Sequence, residues 1–288
     1  MTSSFKQRID RRQMRRAFDR AAAHYDENAV LQHEVGRRLL ERLELLKLKP
    51  KRILDLGVGT GESLGALLKK YPEAEIYALD ISTAMLQQAR KKLSWWQRLR
   101  HRVRFVNAEA EHLPFEMDRF DMVVSNLALQ WCDDLPHVFN ELQRILAPGG
   151  ALLFSTFGPD SLKELRAAWL QVDTEVHIHP FVDMHDIGDA MLRSSLAEPV
   201  MDMELITVTY DDAWHIMRDL KNIGAHNVSL DRPRHLTGKQ RLQDVVTAYE
   251  AYRHAGKLPV TYEIVYGHGW AVETSPPTSV KVQLTSQV

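Results

Sequence analysis

The stretch Ile53-Leu54-Asp55-Leu56-Gly57-Val58-Gly59-Thr60-Gly61 constrains the fold more than any other part of the chain. A short apolar run ending near an acid reads as a buried parallel strand, and the glycines at alternate positions after it read as the tight turn into a helix. Glycine is needed where the chain turns sharply and a ligand approaches bare backbone. The helix that follows presents unpaired N–H groups at its start, which suit an anionic group. A dinucleotide-binding turn has the spacing G-x-G-x-x-G. Here the third glycine position holds Glu62, an acid that would face a pyrophosphate. A cofactor without phosphate meets no such obstacle.

Strand and helix alternate around this loop. Helix 62–70 ends before Pro72, and strand 75–79 ends in Asp80. That acid lies about 20 residues past the glycines, where a carboxylate at a strand's carboxyl end accepts both hydroxyls of a ribose. Asp80-Ile81-Ser82-Thr83 also reads as the cap of a helix over 84–92. Residues 94–104 set Trp95 and Trp96 among four arginines. This reads as a helix end whose tryptophans pack on the sheet, with base stacking or a basic docking face as alternatives. Strands follow at 103–106 and 120–126, then a helix opened by Asp134 and Pro136 that runs to about Leu146, then a fifth strand at 151–156. Over 52–157 the pattern is a doubly wound α/β sheet. Right-handed crossovers bring its loops to one edge.

The flanks are helical at one end and mixed at the other. Residues 6–22 form a basic helix with Met14, Ala17, Phe18, Ala21 and Tyr25 as its apolar stripe. It reads either as a solvated helix packed on the domain or as a mobile lid with a basic outer face. A second helix spans 30–47. After strand five, Ser161-Leu162-Lys163-Glu164 has capping-box spacing for a helix through Gln171. His177, His179 and His185 near Asp183 lack the spacing of a zinc site on a helix, so they read as a loop above the acceptor pocket. Strand 203–210, a helix capped by Asp211 or Asp212 and closed by Gly224, a helix opened by a capping box at Thr237-Gly238-Lys239-Gln240, and a last strand over 261–266 complete the order. From about Glu273 the periodicity is lost and the tail reads as disordered.

Net charge is −1, so no global field draws nucleic acid or a membrane surface. The one cysteine, Cys132, excludes a disulfide framework and points to a reducing, cytoplasmic setting. No apolar run is long enough to span a bilayer.

The glycine loop resembles motif I of the class I S-adenosylmethionine (SAM) methyltransferases. Ala21-Ala22-Ala23-His24-Tyr25-Asp26 resembles the N-terminal cap of many of them, and Ala108-Glu109-Ala110-Glu111-His112-Leu113-Pro114 resembles their adenine turn, Gly-Asp-Ala-Glu-x-Leu-Pro. Later segments are similar to the malonyl-[acyl-carrier protein] O-methyltransferases of biotin synthesis: residues 125–132, 162–169 with Val172 and Asp173, 220–227, 236–238 and 258–262. Val58 stands where that family usually has cysteine. The resemblance implies a class I Rossmann-like sheet, mostly parallel with an antiparallel last strand. It implies a helical cap over 1–50, a SAM-binding core over 51–157, a helical insertion and closing strands over 158–271, and a tail over 272–288. The cofactor residues it implies are Asp55, Gly57, Gly59, Gly61, Asp80, Ile81, Glu109, Ala110 and Asn126, with Glu111 as a competitor for Glu109. Gln130 and Trp131 would form the substrate pocket, Tyr25 and Arg166 would be catalytic, and no metal is required. Arg166 is the expected clamp for the malonyl carboxylate. The implied partner is acyl-carrier protein bearing a malonyl thioester, an acidic protein that a basic face would dock. A quinone or small-metabolite methyltransferase, an assembly factor resembling the complex I relatives, and an NAD-binding oxidoreductase are the rival readings.

Overall fold

A computed structural model describes residues 9–99, 102–225, 227–230, 232 and 237–272. The tail from Glu273 onward lies outside the described residues. Strands β1 (Arg52–Leu56), β2 (Glu75–Asp80), β3 (Val103–Asn107), β4 (Phe120–Asn126), β5 (Leu146–Phe157), β6 (Leu196–Tyr210) and β7 (Leu258–Ala271) form one sheet in the order β3-β2-β1-β4-β5-β7-β6. The pairs β3–β2, β2–β1, β1–β4 and β4–β5 are parallel, while β7 runs antiparallel to both β5 and β6. The antiparallel last strand expected from sequence is therefore present. Strands β5, β6 and β7 extend well beyond their predicted ranges, because β6 and β7 pair with each other over nearly their whole length.

The helices are α1 (Arg11–Ala21), α2 (Tyr25–Asn28), α3 (Val30–Arg42), α4 (Glu62–Lys70), α5 (Thr83–Lys92), α6 (Trp95–Leu99), α7 (Leu135–Ile145), α8 (Lys163–Leu170), α9 (Met184–Arg193), α10 (Ala213–Asn222) and α11 (Lys239–Tyr249). Successive strand residues point to opposite faces, and both faces are covered. Ile53, Ile76, Met122 and Leu153 pack with α3, α4, α5 and α8. Leu54, Leu79, Val123 and Leu152 pack with α7 and α9. This two-sided burial is why the strands read as continuous apolar runs rather than alternating ones.

Three local expectations are corrected. Ser161-Leu162-Lys163-Glu164 does not cap α8, whose first residue is preceded by Leu162 with no side-chain cap. Instead Ser161 Oγ donates to the Glu263 carbonyl at 3.0 Å and accepts the Glu263 N–H at 3.0 Å. Glu164 accepts the Thr261 N–H at 3.0 Å and also its hydroxyl. A capping-box sequence thus serves as a staple from α8 to β7. At α11 the N-cap is Gly238, again without a side-chain cap. Trp95 and Trp96 do not pack on the sheet: they stack on each other with centroids 3.8 Å apart and remain about 60% exposed.

The site lies at the carboxyl edge of the parallel strands, where the topology places ligands. Helix α5 leaves that edge at Ser82, and β3 pairs Val103 with Ile76 near the start of β2. Trp95 and Trp96 therefore sit at the opposite edge, away from the site.

Candidate active site

The carboxyl edge opens into a cleft partly open to solvent. Its floor is the turn after β1. The Gly57 and Val58 N–H groups donate to the Leu79 carbonyl at 2.8 and 2.9 Å, which bends the chain across the end of β2. At Gly57, φ is +74° and a Cβ would lie 2.3 Å from the Ala128 Cβ, so the loop after β1 touches the loop after β4. Gly57 and Gly59 line the cleft; Gly61 does not, and instead forms the N-cap of α4.

Asp80 accepts the Gly59 N–H at 2.9 Å and the Ser82 N–H at 2.8 Å. Burial raises its carboxyl to about 6; the two N–H groups oppose the rise and Asp19 adds to it. Ser82 accepts the Met85 N–H at 3.1 Å, so the serine caps α5 while Asp80 lines the cleft. Asp55 is buried beneath the loop and accepts the Ser63 hydroxyl. Burial raises it to about 7, with Ser63 opposing and Asp80 adding. Asp55 lines an adjoining cavity shared with Tyr25, Gly57, Gly59 and Asn126.

Ile81, Glu109 and Ala110 form another wall. Glu109 and Glu111 both line the cleft and differ in their surroundings. Glu111 is 5% exposed and accepts the Asp133 and Asp134 N–H groups at 2.6 and 3.0 Å, so its carboxylate shapes the loop before α7. Glu109 is less buried, with Arg11 Nη1 at 2.8 Å and Arg15 Nη2 at 3.2 Å on its oxygens. Arg11 also contacts Glu111 and Asp133, and so ties the cap to three acids of the core. Nothing in the sequence singled Arg11 out from the other arginines of α1.

Cap and core also meet at Asn126. Its Oδ1 accepts the Ser155 hydroxyl at 2.8 Å and its Nδ2 donates to the Gln32 carbonyl at 3.0 Å. Gly36, one turn further along α3, lies so close that a Cβ would be 2.9 Å from Asn126 Nδ2. Trp131 packs edge-on against Phe18 of α1 at 5.4 Å. Tyr25 opens α2 and lines the cleft. Burial, then Asp80 and Asp26, raise its phenol far above neutrality, so it is a neutral hydrogen-bond donor. Burial also pushes the Cys132 thiol up to about 12, so no thiolate faces the cleft.

A second, largely apolar cavity adjoins the first, walled by Leu162, Leu165, Trp169, Phe181, Leu220 and Tyr262. The two share Gln32, Gln130, Trp131, Phe157, Ile223 and Ala225. Gln130 is spent on structure: its Nε2 donates to the Leu127 carbonyl at 2.7 Å and its Oε1 accepts the Thr156 hydroxyl at 3.3 Å. His179 lines the second cavity, and burial lowers it to about 4, so it is neutral there. Among the described residues, His177, His179 and His185 do not converge. His177 stacks on Trp169 at 3.5 Å and bonds Asp173 at 2.8 Å. Asp173, Glu175 and His177 lie within 4.8 Å of one another, and Arg241 sits 3.8 Å from Asp173 and 3.4 Å from Glu175, so the cluster is an ion-pair network.

The expectation for Arg166 is not met. It lines neither cavity. Its guanidinium donates to the carbonyls of Pro159 and Ser161 at 3.0 and 3.1 Å, closing the turn that precedes α8. A guanidinium spent on two carbonyls of its own turn is not free to clamp a carboxylate.

A family model described as a methyltransferase domain matches residues 54–154. A malonyl-[acyl-carrier protein] O-methyltransferase of Gallionella capsiferriformans is 52% identical over 264 residues, covering 91% of this chain and 91% of that protein. Another, from Nitrosospira multiformis, is 50% identical over 284 residues, covering 94% and 92%. Among solved structures, the YcgJ protein from Bacillus subtilis superposes with a TM-score of 0.59 at 17% identity, covering 82% of this chain and 99% of that one; at that identity the likeness shows the fold. Sheet order, glycine turn and matched domain together define a class I SAM-dependent methyltransferase. On the extent of the identity, the chain belongs to the malonyl-[acyl-carrier protein] O-methyltransferase family.

Proposed function

We infer that this chain transfers the methyl group of SAM to the free carboxylate of a malonyl thioester on acyl-carrier protein, giving the methyl ester that enters pimeloyl and biotin synthesis. The observation that carries the reading is the junction of two cavities, one built around the glycine turn with Asp80 and Glu109 in its wall, the other largely apolar and lined by residues of α8 and α10. The names of the relatives supply the acceptor.

The residues fit SAM. Asp80 can accept the ribose hydroxyls while its own position is fixed by the Gly59 and Ser82 N–H groups. Glu109 and the Ala110 N–H border the place for adenine, with Ile81 and Ala108 beside it. Asp55, Tyr25, Asn126 and the glycine turn border the adjoining cavity, which suits the methionine end. Bound SAM supplies an electrophilic methyl on a sulfonium. The protein has little proton chemistry to do, because an acyl carboxylate is already ionised near pH 7. The buried Cys132 thiol and the neutral His179 agree with the absence of a nucleophile–base pair at the joint. The catalytic work is alignment and exclusion of water, and Trp131, Phe157 and Ile223 give the joint apolar walls.

The carrier would dock where the cap is basic. Arg12, Arg16 and Arg20 recur at helical spacing on the outward side of α1, are exposed, and form no ion pair among the described residues. An acidic partner matches that row, and its attraction should weaken with salt. No described helix is long and apolar enough to cross a membrane.

Incubation with methyl-labelled SAM and malonyl-carrier protein tests the reading. The expected product is a carrier-bound, base-labile methyl ester. Label transferred only to small metabolites, or none to the malonyl thioester, overturns it.

A further inference from the structure

With Arg166 facing its own turn, the acceptor carboxylate lacks an assigned partner. That carboxylate must sit at the joint of the two cavities, since methyl transfer happens there. Six residues line both cavities: Gln32, Gln130, Trp131, Phe157, Ile223 and Ala225. Phe157, Ile223 and Ala225 carry no side-chain donor, Trp131 offers a single indole N–H, and the two glutamines offer amide N–H groups. Gln130 is committed at both ends of its amide. Gln32 is not. Among the described residues, its Oε1 is sealed from solvent without a hydrogen-bond partner.

A buried amide oxygen left unpartnered costs free energy, and an orphan of this kind calls for an explanation. We propose that the Gln32 side-chain amide is the group that binds the acceptor carboxylate, donating Nε2–H to it at the joint. A half-turn about the last side-chain bond exchanges oxygen and nitrogen, so either end can meet the ligand. The inference rests on the malonyl-thioester reading above and names the group that holds that substrate.

The backbone around Gln32 is fixed in a way that suits this role. Its carbonyl accepts from Asn126 Nδ2 at 3.0 Å, and Asn126 is held in turn by Ser155. The close approach at Gly36 leaves α3 no room to shift toward β4. The amide is thus presented from a helix locked to the carboxyl end of the central strand. The basic side chains of the acceptor cavity are less well placed. His177 is held by Asp173 and does not reach the joint. Lys221 is exposed at the cavity wall, where water competes for it. A neutral donor also suits the chemistry, since it orients the carboxylate without the tight charge pairing that would lower its nucleophilicity.

Gln32→Met removes the donor at similar volume, and Gln32→Glu replaces it with a like charge. Loss of a hydrogen bond to a charged group predicts a fall of about 10- to 100-fold in kcat/KM for malonyl-carrier protein in Gln32→Met, with a larger fall in Gln32→Glu. Affinity for S-adenosylhomocysteine should stay within about threefold in both, since the other cofactor contacts remain. A binding competition gives a second readout that mere structural damage does not produce. Wild type should prefer malonyl- over acetyl-carrier protein, and the variants should lose that preference. Unchanged kcat/KM overturns the assignment, as does a loss of homocysteine-nucleoside affinity in step with turnover, which would give the amide to the cofactor. If wild type fails to methylate malonyl-carrier protein in the same assay, the proposed function itself falls, which is a distinct result.

Discussion

Acidification should weaken cofactor binding through Asp80 while making the ligand-free fold easier to keep. Asp80 is 8% exposed, and burial raises its carboxyl to about 6 in the free protein. A ribose diol donates to the charged form, so binding holds Asp80 ionised and draws its proton affinity down. Affinity is therefore fully present above about pH 6 and is lost tenfold per pH unit below it, which gives about a tenfold loss at about pH 5. Asp55, raised to about 7, steepens the fall if the methionine end also needs it charged. Stability runs the other way. The folded state binds the Asp80 proton more tightly than the unfolded chain, so holding the charged form at neutral pH costs about 3 kcal/mol, relieved as pH falls through about 6 toward the ordinary carboxylate range. Titration calorimetry with S-adenosylhomocysteine across this range, on wild type and Asp80→Asn, isolates the group. Wild type should show the slope. Asp80→Asn should bind about 100-fold more weakly at neutral pH, having lost two charge-assisted hydrogen bonds, and should lack the component of the slope near pH 6. The unfolding free energies of the two proteins should differ by an amount that changes with pH in the opposite sense. A wild-type affinity that is flat down to about pH 5, or an asparagine variant that binds normally, refutes the assignment.

Arg11→Ala removes the cation that ties α1 to Glu109, Glu111 and Asp133. Glu111 keeps its two N–H donors, so the expected loss is about 1–3 kcal/mol in urea unfolding, with weaker S-adenosylhomocysteine binding; no loss means the cap is held by packing alone. Gly57→Ala and Gly59→Ala form a contrasting pair, because both have positive φ but only Gly57 has a neighbour within 4 Å of the added Cβ. Expected destabilisation is about 2–4 kcal/mol at Gly57 and about 1 kcal/mol at Gly59; equal effects would show that backbone strain, not the contact with Ala128, decides. Arg166→Ala should lower stability by about 1–2 kcal/mol by freeing two carbonyls and leave KM for the malonyl substrate unchanged; a raised KM would return Arg166 to the substrate site.

The cleft at the glycine turn was legible because its signals are local. Gly57, Gly59 and Asp80 lie at strand ends fixed by apolar periodicity, and a strand end in a doubly wound sheet has only one edge to occupy. Ser82 could likewise be read as a cap because a cap bonds within three residues of itself. The acceptor half was not legible. Arg166 carries the right charge on the right helix, yet its guanidinium turns back to Pro159 and Ser161. Ser161 and Glu164 have the spacing of a cap, yet β7 arrives about a hundred residues later with donors and acceptors that engage them instead.

The sequence by itself determined the sheet, its direction of winding, the glycine turn and the acid at the end of β2, because period, turn chemistry and strand-end placement are properties of neighbouring residues. Only the tertiary structure decided which polar side chains are spent and which remain free. Glu111 is consumed by N–H groups of the loop before α7, and Gln130 and Arg166 by carbonyls of their own turns, whereas Gln32, with no distinguishing mark in the sequence, keeps a buried amide oxygen without a partner among the described residues, where two cavities meet. Hydrogen-bond satisfaction is settled by whatever the folded chain brings within about 3 Å, and that is known only once every segment has been placed.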